Sequence, residues 1–389
     1  MAVATDRLSL YLLTGEGLVR GHTTDGLERV VLDGTDLDGE TLREVCQDPC
    51  EPRRLWAAST TDLYRSDDGG ASWDQLPAGG IEFRELWALA VPPTRPNELY
   101  IGTMPAAVYV SVDGGLSFRE LASFRALPDY ARWTFPPAPH TAHVRSIALD
   151  ARRPDEVLVG VEEGGVALSR DGGANWEDRS GPASATAFPP VKDLTGQTRY
   201  EGGDYEPGRV YRDVHQVMRH PARPDTYFAT TGRGTYRSDD AGRTWAHLTD
   251  GLPVAYSLHV AAHAAAPDRL FVGAAGNGPP GWKGWRPARG GPYASSRYRL
   301  DLSEKLGGAK AALFRSDDGG DHWRAVGGGL PIEHPYVICS LQVHPRDAVT
   351  LFVSYADGSV YVSRDAGEAW RCIHSGHPKA FGARVFAME

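Results

Sequence analysis

Short apolar segments separated by turns run along the whole chain. The stretch VRSIALDARRPDEVLVGV, from Val144, holds two such segments on either side of a turn that contains Pro and Asp, and VHQVMRHPARPDTYFATT, from Val214, has the same arrangement. A third apolar segment follows in each case, and it leads into a turn and a fourth segment. This pattern predicts antiparallel strands joined by tight turns, in repeating units of four strands.

The turn before the fourth segment is an eight-residue sequence that occurs six times. Its copies are SDDGGASW from Ser66, SVDGGLSF from Ser111, SRDGGANW from Ser169, SDDAGRTW from Ser238, SDDGGDHW from Ser316 and SRDAGEAW from Ser363. The Asp carboxylate can accept hydrogen bonds from turn amides, Gly allows a positive φ, and the closing Trp or Phe supplies apolar surface between neighbouring units. A single unit cannot bury both of its faces, so the repeat predicts a propeller in which the units stack around an axis.

The number of units follows from the six repeated turns and the two ends of the chain. Residues Leu8–Asp33 contain three further apolar segments with a degenerate turn, and the C-terminal segment Ala383–Met388 has no partner within its own unit. We expect that segment to pair near Leu10 as the innermost strand of the first unit and so to close the ring. The predicted fold is all-β: a seven-bladed β-propeller of four-stranded antiparallel blades, forming one domain over residues 1–389.

Composition agrees with this fold and narrows the range of partners. The 389 residues include 45 Gly and 28 Pro, and 41% are hydrophobic, which suits many short strands and turns. The formal net charge of −9 argues against nucleic acid as a partner. The sequence has no apolar stretch typical of a membrane span and no basic leader, so it predicts a cytoplasmic protein without a membrane partner.

Four cysteines complete the compositional picture. Cys46, Cys50, Cys339 and Cys372 do not have the spacing of a disulfide framework, and we expect them to be reduced structural thiols. The alternative for the pair Cys46 and Cys50 is a bound metal or a strained bridge.

The repeated turn resembles the Asp-box, or BNR repeat, of the sialidase superfamily, whose pattern is Ser-x-Asp-x-Gly-x-Thr-Trp. The chain is similar in this respect to the intracellular bacterial branch described as sialidase-like or glycosyl-hydrolase-like. The resemblance implies that the boxes are structural and lie away from the catalytic face. Asp-box propellers include sialidases, xyloglucanases, sortilin-type receptors and photosystem assembly factors, so the fold leaves the chemistry open. The Phe-Arg-Ile-Pro segment of sialidases is absent, which argues against a true sialidase.

Three insertions interrupt the repeat. The box aspartates are 45 and 47 residues apart in two plain intervals, but 58, 69 and 78 residues apart in three others. The excess lies at about 122–141, 180–212 and 276–311, in connections that a propeller of this kind places at the rim opposite the boxes. Loops of this size usually have a function. Candidate substrate-binding residues at this rim are Trp133, His140, Arg212, Trp282, Trp285, Arg297 and His334.

The aromatic side chains of these insertions allow two interpretations. Interleaved with Arg and carboxylates, they suit stacking on a sugar or another polar ring. They suit equally well a packed cluster that holds the loops together.

Three histidines recur at one position of the repeat. His220, His263 and His344 each follow a first strand, just before Pro or Ala. Because a residue that recurs in register serves the repeat itself, these side chains are predicted to be structural.

Three other histidines break the register and are better functional candidates. His143, His215 and His259 lie near the starts of first strands in three successive blades, where they could converge at the mouth of the channel. Three neutral imidazoles with an open position would suit zinc or another divalent ion. The alternative is that each acts alone as an acid, base or hydrogen-bond donor. Arg145 and Tyr211 lie close by in sequence and complete the predicted catalytic set.

The sequence thus predicts a soluble enzyme, a hydrolase or lyase, with a pocket above the channel for a small polar or carbohydrate-like ligand. The alternative is a non-catalytic scaffold or assembly factor that binds a protein partner with the same face. A less favoured hypothesis is a sialidase or glycosidase with two carboxylates flanking the cleaved bond. Candidate carboxylates are Glu85, Asp129, Asp204, Glu206, Asp213 and Glu333.

Overall fold

The chain folds into seven four-stranded antiparallel sheets arranged as the blades of a propeller. The computed structural model describes residues 8–24, 27–81, 85–133, 141–182, 190–192, 198–200, 207–252, 256–276, 308–344, 346–375 and 380–387. Within these ranges no helix is long and apolar enough to span a membrane.

The blades follow one another in chain order. Blade 1 contains β1 (Leu8–Thr14), β2 (Leu18–Thr24), β3 (Arg29–Asp36) and the C-terminal β30 (Ala380–Ala387). Blade 2 contains β4 (Leu42–Gln47), β5 (Leu55–Ser59), β6 (Leu63–Ser66) and β7 (Asp74–Leu76). Blade 3 contains β8 (Glu85–Ala90), β9 (Leu99–Met104), β10 (Ala107–Ser111) and β11 (Arg119–Glu120). Blade 4 contains β12 (His143–Ala148), β13 (Val157–Glu162), β14 (Gly165–Ser169) and β15 (Glu177–Asp178).

The remaining blades have the same plan. Blade 5 contains β18 (Val214–Arg219), β19 (Tyr227–Thr231), β20 (Gly234–Ser238) and β21 (Ala246–Leu248). Blade 6 contains β22 (Tyr256–His263), β23 (Ala266–Ala275), β24 (Ala311–Ser316) and β25 (Arg324–Val326). Blade 7 contains β26 (Ile338–Val343), β27 (Leu351–Tyr355), β28 (Val360–Ser363) and β29 (Arg371–His374). Two short 3₁₀ helices, Ala122–Ala126 and Tyr130–Arg132, and a hairpin of β16 (Pro190–Lys192) and β17 (Thr198–Tyr200) belong to the insertions.

The C-terminal strand closes the ring. β30 pairs antiparallel with β1, with Val385 opposite Leu10 and Arg384 opposite Tyr11. This confirms the predicted seven-bladed propeller and the predicted role of the C-terminal segment. The innermost strands, around the channel, are β30, β4, β8, β12, β18, β22 and β26.

Apolar side chains between the blades form the core. The middle strands of most blades are buried along their whole length, as in β13, where all six residues from Val157 to Glu162 are buried. Leu158 of blade 4 packs with Tyr227 of blade 5 in one such cluster. Full burial of one such side chain contributes about 1.5–3 kcal/mol, so each blade is stabilised mainly by its neighbours.

The boxes form identical turns between the third and fourth strands. In the first box, Ser66 Oγ donates to Asp68 Oδ1 at 2.8 Å and accepts from the Gly70 amide at 2.8 Å. Asp68 also accepts from the amide and hydroxyl of Ser72. In the five other boxes the Ser hydroxyl also donates to the Asp carboxylate, and in the last box Ala369 supplies only its amide to Asp365. The predicted structural role of the boxes is therefore confirmed.

The recurring histidines also serve turns. The Nδ1 atom of His220 accepts hydrogen bonds from the amides of Ala222 and Arg223 at 3.0 Å. His263 and His344 accept from the amide two residues further on in the same way. The prediction that these three histidines are structural is confirmed.

A bulge near the start of each innermost strand places one extra residue at the rim opposite the boxes, which we call the upper rim. In blades 2 to 7, the pairing between the innermost strand and the second strand skips one residue of the innermost strand, about two positions from the upper rim. The skipped residues are Arg43, Trp87, Arg145, His215, Leu258 and Cys339. A bulge bends the strand and redirects its side chains, so each blade presents a different side chain at the same place.

Candidate functional site

Charged and aromatic residues of blades 4 and 5 meet at the upper rim around one hairpin turn. The strand β13 ends at Glu162, and the turn continues through Glu163, Gly164 and Gly165 to β14. Glu162 pairs with His143 of the innermost strand of its own blade. It also forms an isolated bridge with Asp213, which directly precedes the innermost strand of blade 5. The turn therefore joins two blades at the channel mouth.

Glu162 is a buried carboxylate that contacts one histidine and one arginine. His143 Nε2 lies 2.9 Å from its Oε2, and Arg145 Nη1 contacts the same oxygen. Burial opposes ionisation, but Arg145 and His143 together hold the pKa of Glu162 well below its usual range. Burial lowers the pKa of His143, although Glu162 acts in the opposite direction. A neutral imidazole that donates its Nε2 proton to an ionised Glu162 fits both shifts.

Glu163 is the second carboxyl group of the turn, and its environment favours the protonated form. It is 5% exposed and has a φ of +67°, which an L-residue rarely adopts. Burial, followed by the charge of Asp213, raises its pKa to about 8, and Arg212 offsets only part of this. Arg212 Nε lies 2.9 Å from the Glu163 carboxylate, and its Nη2 donates to the Glu163 carbonyl at 3.2 Å. The surroundings of these two neighbouring carboxyl groups thus shift their pKa values in opposite directions.

Asp213 and His215 face each other on the blade 5 side. His215 Nε2 is 3.4 Å from Asp213 Oδ1, while His215 Nδ1 lies 2.5 Å from the carbonyl oxygen of Ser257 in blade 6. The ring of His215 packs against Tyr256, with centroids 4.3 Å apart. Ligand atoms of Glu162, Asp213 and His215 all lie within 4.8 Å of one another, and all three residues are buried. The arrangement brings two carboxylates and one imidazole to a single point.

A second wall of the site reaches from blade 2 to blade 4. The guanidinium of Arg43 lies 4.2 Å from the ring centroid of Trp87, and Trp87 lies against the His143 ring at 3.9 Å. Glu85 is 2% exposed and its Oε2 is 3.6 Å from Arg43. Burial raises the pKa of Glu85, which Arg43 counteracts.

Most of the predicted site residues in the described part of the chain gather at this turn. His143, Arg145 and His215 supply contacts described above, as does Arg212. Tyr211 is influenced by the same carboxyl groups. Burial, followed by the charges of Glu163 and Asp213, raises its pKa to about 12. The ring of Tyr211 also has Arg233 above it at 5.0 Å.

Trp133 is close to the turn but is engaged in packing. Its ring meets those of Phe124 and Tyr130, at 5.6 and 5.0 Å between centroids. A Cβ atom on Gly164 would lie only 2.9 Å from Trp133, so the indole rests against the turn itself. In this insertion the aromatic side chains pack on one another, which was the second of the two interpretations.

His259 does not join His143 and His215 in a metal-binding group. It follows the bulge of its strand, whereas His215 is the bulged residue and His143 precedes the bulge. Among the described residues, the group whose ligand atoms lie within 4.8 Å contains His215 with Glu162 and Asp213. The structure therefore does not bring the three predicted histidines together in one group, because they lie before, at and after the bulges of their strands. Burial, followed by the charges of Arg384 and Arg145, lowers the pKa of His259 to about 3.

His334 lies in a different part of the rim. Its ring stacks on Tyr355 at 3.9 Å, and its Nδ1 accepts from the Tyr336 amide at 3.1 Å. Its Nε2 is 3.5 Å from Asp357. It therefore supports the rim of blade 7 and does not meet the group at blades 4 and 5. The predicted residues His140, Trp282, Trp285 and Arg297 lie outside the described residues.

Only some of the carboxylates that the sequence suggested as catalytic lie at the site. Glu85 and Asp213 are buried at the rim, whereas Asp129 pairs with Arg132 and Glu333 is exposed beside Lys310. Asp204 and Glu206 lie outside the described residues.

Sequence reasoning missed four residues of the site. These are Glu162, Glu163, Arg43 and Trp87. A signal for the first two is present in the chain: two acidic residues followed by two glycines directly after the apolar strand VLVGV. Arg43 and Trp87 carry no local signal, because only the bulge brings them to the rim.

Comparison with known proteins relates the chain to xyloglucanases at low identity. No family model matches the chain. It is 24% identical over 330 residues to the oligoxyloglucan-reducing end-specific xyloglucanase of Emericella nidulans, a match that covers 76% of this chain and 35% of that protein. A probable enzyme of the same description from Neosartorya fischeri is 28% identical over 151 residues, 35% of this chain and 17% of that protein. The chain thus spans about a third of the length of the first relative.

Solved structures share the fold. The GH74 xyloglucanase of Xanthomonas campestris superimposes with a TM-score of 0.58 at 17% identity, over 94% of this chain and 46% of that one. YCF48 from Cyanidioschyzon merolae gives a TM-score of 0.53 at 13% identity, over 87% of both chains. The chain is a seven-bladed β-propeller with xyloglucanase-like neighbours. The finer resemblance to the sialidase superfamily stays a prediction.

Proposed function

We propose that this chain is a hydrolase that acts on a carbohydrate-like substrate at the turn formed by Glu162 and Glu163. The observation that carries the proposal is geometric: carboxyl groups from two blades meet at one point of the channel mouth, each with a different partner. In blade 4, Glu162 contacts His143 and Arg145, and Glu163 contacts Arg212. Asp213 of blade 5 forms a bridge with Glu162, and its charge raises the pKa of Glu163. Glycoside hydrolysis needs a protonated and an ionised carboxyl group close together.

The roles follow from the surroundings of each carboxyl group. Glu163, whose pKa is raised, would donate its proton to the glycosidic oxygen as the bond from the anomeric carbon to that oxygen breaks. Asp213 would accept a proton from the water molecule whose oxygen bonds to the anomeric carbon. The proton returns from Asp213 to Glu163 through solvent, so one water is consumed for each bond cleaved. Arg212 and Tyr211, beside these groups, would bind sugar hydroxyls.

The relatives support the substrate class. Both curated relatives are described as oligoxyloglucan-reducing end-specific xyloglucanases, one of them as probable. Since the match covers about a third of the first, the proposal rests on the residues of this chain and takes from the relatives only the choice of substrate to test.

The test is hydrolysis of xyloglucan oligosaccharides and aryl glycosides by the full chain. The variant Glu163→Gln keeps size and shape but has no proton to donate, so kcat should fall by about 10²–10⁴-fold. Asp129→Asn is the matched control and should keep wild-type kcat, because Asp129 is a partly exposed carboxylate that pairs with Arg132. Activity of Glu163→Gln equal to that of the wild type would remove Glu163 from the mechanism.

A second candidate is a non-catalytic propeller that binds a protein segment at the same rim. The observation that favours it is size, because the chain covers 87% of YCF48 from Cyanidioschyzon merolae. It also covers 86% of the YCF48 chain in a structure described as bound to D1 peptide, and that superposition has a TM-score of 0.51 at 16% identity. Under this hypothesis no glycoside would be cleaved. Fluorescence anisotropy with labelled peptides would then give saturable binding that Arg212→Ala weakens.

A further inference from the structure

We infer that the upper rim binds a divalent cation between blades 4 and 5, through Glu162, Asp213 and His215. Their ligand atoms lie within 4.8 Å of one another. The three residues are 1%, 6% and 3% exposed. The inference concerns binding and goes beyond the proposed function. It takes Asp213 Oδ1 as a cation ligand, which leaves Oδ2 as the proton acceptor of the proposed reaction.

The hydrogen bonding of His215 points to a missing cation. Its Nδ1 lies 2.5 Å from the carbonyl oxygen of Ser257, which can only accept, so Nδ1 carries the proton. In the neutral ring, the lone pair of Nε2 then faces Asp213 Oδ1 at 3.4 Å. Within the described residues neither of these buried atoms has a hydrogen-bond partner. Two buried acceptors that face each other are unfavourable, and a cation between them satisfies both.

The distance between the two acceptors suits metal coordination. With bonds of about 2.0–2.2 Å, the edge of a tetrahedral zinc site is about 3.3–3.6 Å, and the observed separation is 3.4 Å. A metal-binding histidine commonly donates its other N–H group to a backbone carbonyl. The bond from His215 to Ser257 is of that kind.

Glu162 would be the third ligand. Both His143 and Arg145 contact its Oε2, and Oε1 takes part in neither contact. These two residues orient the carboxylate toward Asp213 across the blade boundary. The carboxylates of Glu162 and Asp213, together with the cation of Arg145, give the site a net charge of about −1 beside the neutral imidazole of His215. Two oxygen ligands and one nitrogen ligand suit Zn²⁺ or Mn²⁺. Three protein ligands leave a position for water.

The competing explanation is an ion pair between a protonated His215 and Asp213. A charge-assisted N–H···O bond is usually about 2.7–2.9 Å long, whereas the two atoms here are 3.4 Å apart. The longer distance favours a shared cation.

The experiment is calorimetric titration of the chelator-treated full chain with ZnCl₂. We expect one saturable site per chain and a rise in melting temperature on loading. Asp213→Asn and His215→Gln should each weaken that site by at least about 10–100-fold. His322→Gln is the matched control, because His322 is an exposed histidine beside Asp318 on the box rim, and it should leave the site unchanged.

Two results would overturn the inference. One is the absence of a saturable site in the wild type, or an equal site in both folded ligand variants. The other is independent of any variant: nitrogen NMR in which the Nε2 signal of His215 is the same in the zinc-loaded and the cation-free wild type. In either case a Glu163-dependent hydrolase activity would leave the proposed function standing, so the two failures are distinguishable.

Discussion

The acidic residues at the two rims of the propeller are stabilised in opposite ways. On the box rim, each aspartate accepts hydrogen bonds from its own turn, as Asp113 does from Ser111 and Ser117. At the upper rim, Glu162 depends on His143 and Arg145, two side chains of another strand, and it meets Asp213 of the next blade. The aspartates that recur at one position of the repeat thus stabilise their own turns. Glu162 and Asp213, which do not recur, belong to one buried group of side chains.

The largest expected effect comes from removing a cation from the buried group. Arg145→Met leaves the charge of Glu162 buried beside His143 alone, and breaking such a pair costs about 3–5 kcal/mol. On the box rim, Arg324 lies 2.7 Å from Glu368 and both side chains are about half exposed. Arg324→Met should therefore cost no more than about 1 kcal/mol. The measurement is the free energy of unfolding in urea.

A double variant separates charge from packing in this comparison. Arg145→Met combined with Glu162→Gln removes both charges, so most of the lost stability should return. If the double variant is no more stable than Arg145→Met, the cost came from lost packing of the arginine, and the contrast between the rims would not be electrostatic.

Asp113 on the box rim and Glu163 at the upper rim should also contribute to the pH dependence of stability with opposite signs. Hydrogen bonds from Ser117 and Ser111 lower the pKa of Asp113 from 3.8 to about 2. A lowered folded-state pKa contributes stability above the unfolded value, and that contribution is lost as the pH falls from about 4 to 2. Asp113→Asn should therefore reduce the dependence of the melting temperature on pH between about pH 4 and 2.

For Glu163 the sign is reversed. Its pKa rises from 4.5 to about 8 on folding, so between these values the folded state holds a proton that the unfolded state has released. The contribution of Glu163 to the stability of the cation-free protein should then fall as pH rises, by at most about 1.4 kcal/mol per pH unit. Melting temperatures of wild type and Glu163→Gln across this window check it, since the variant should lose the slope. Equal slopes in the wild type and in Glu163→Gln would mean that the protonation state of Glu163 does not change on folding.

The sequence was sufficient for the fold because its signals are local. Each box carries its own turn chemistry within eight residues, and the unpaired segment around Val385 predicted the ring closure that its pairing with Leu10 confirms. The upper rim depends instead on the bulges, which the spacing of apolar residues does not reveal. His143 and His215 therefore look equivalent in sequence but lie at different heights.

The partners at the upper rim also come from distant parts of the chain. Asp213 meets Glu162 across a blade boundary, and the two are separated by the insertion at about 180–212. No short motif can encode such a contact. Glu163 was missed because its role depends on burial and on Arg212, neither of which is visible from the dipeptide of two glutamates.

The smallest expected effects concern backbone strain. Ala241 occupies a box position with a φ of +57°, where the equivalent Gly69 has +74°. Glu163 has a φ of +67° in the turn of the upper rim. Glycine tolerates these angles, so Ala241→Gly and Glu163→Gly should each stabilise the fold by about 1 kcal/mol. Hydrolysis should be unchanged in the first variant and lost in the second, as measured by unfolding in urea and by the glycoside assay.

The sign of the Glu163→Gly effect decides between two roles for this residue. Strain is kept at functional sites when the side chain is needed there, so a gain in stability together with a loss of activity identifies Glu163 as functional. A loss of stability would instead mean that its contact with Arg212 Nε, at 2.9 Å, holds the turn together. Glu163 would then stabilise its own turn as the box aspartates do, and the contrast between the two rims would be reduced to Glu162, Asp213 and His215.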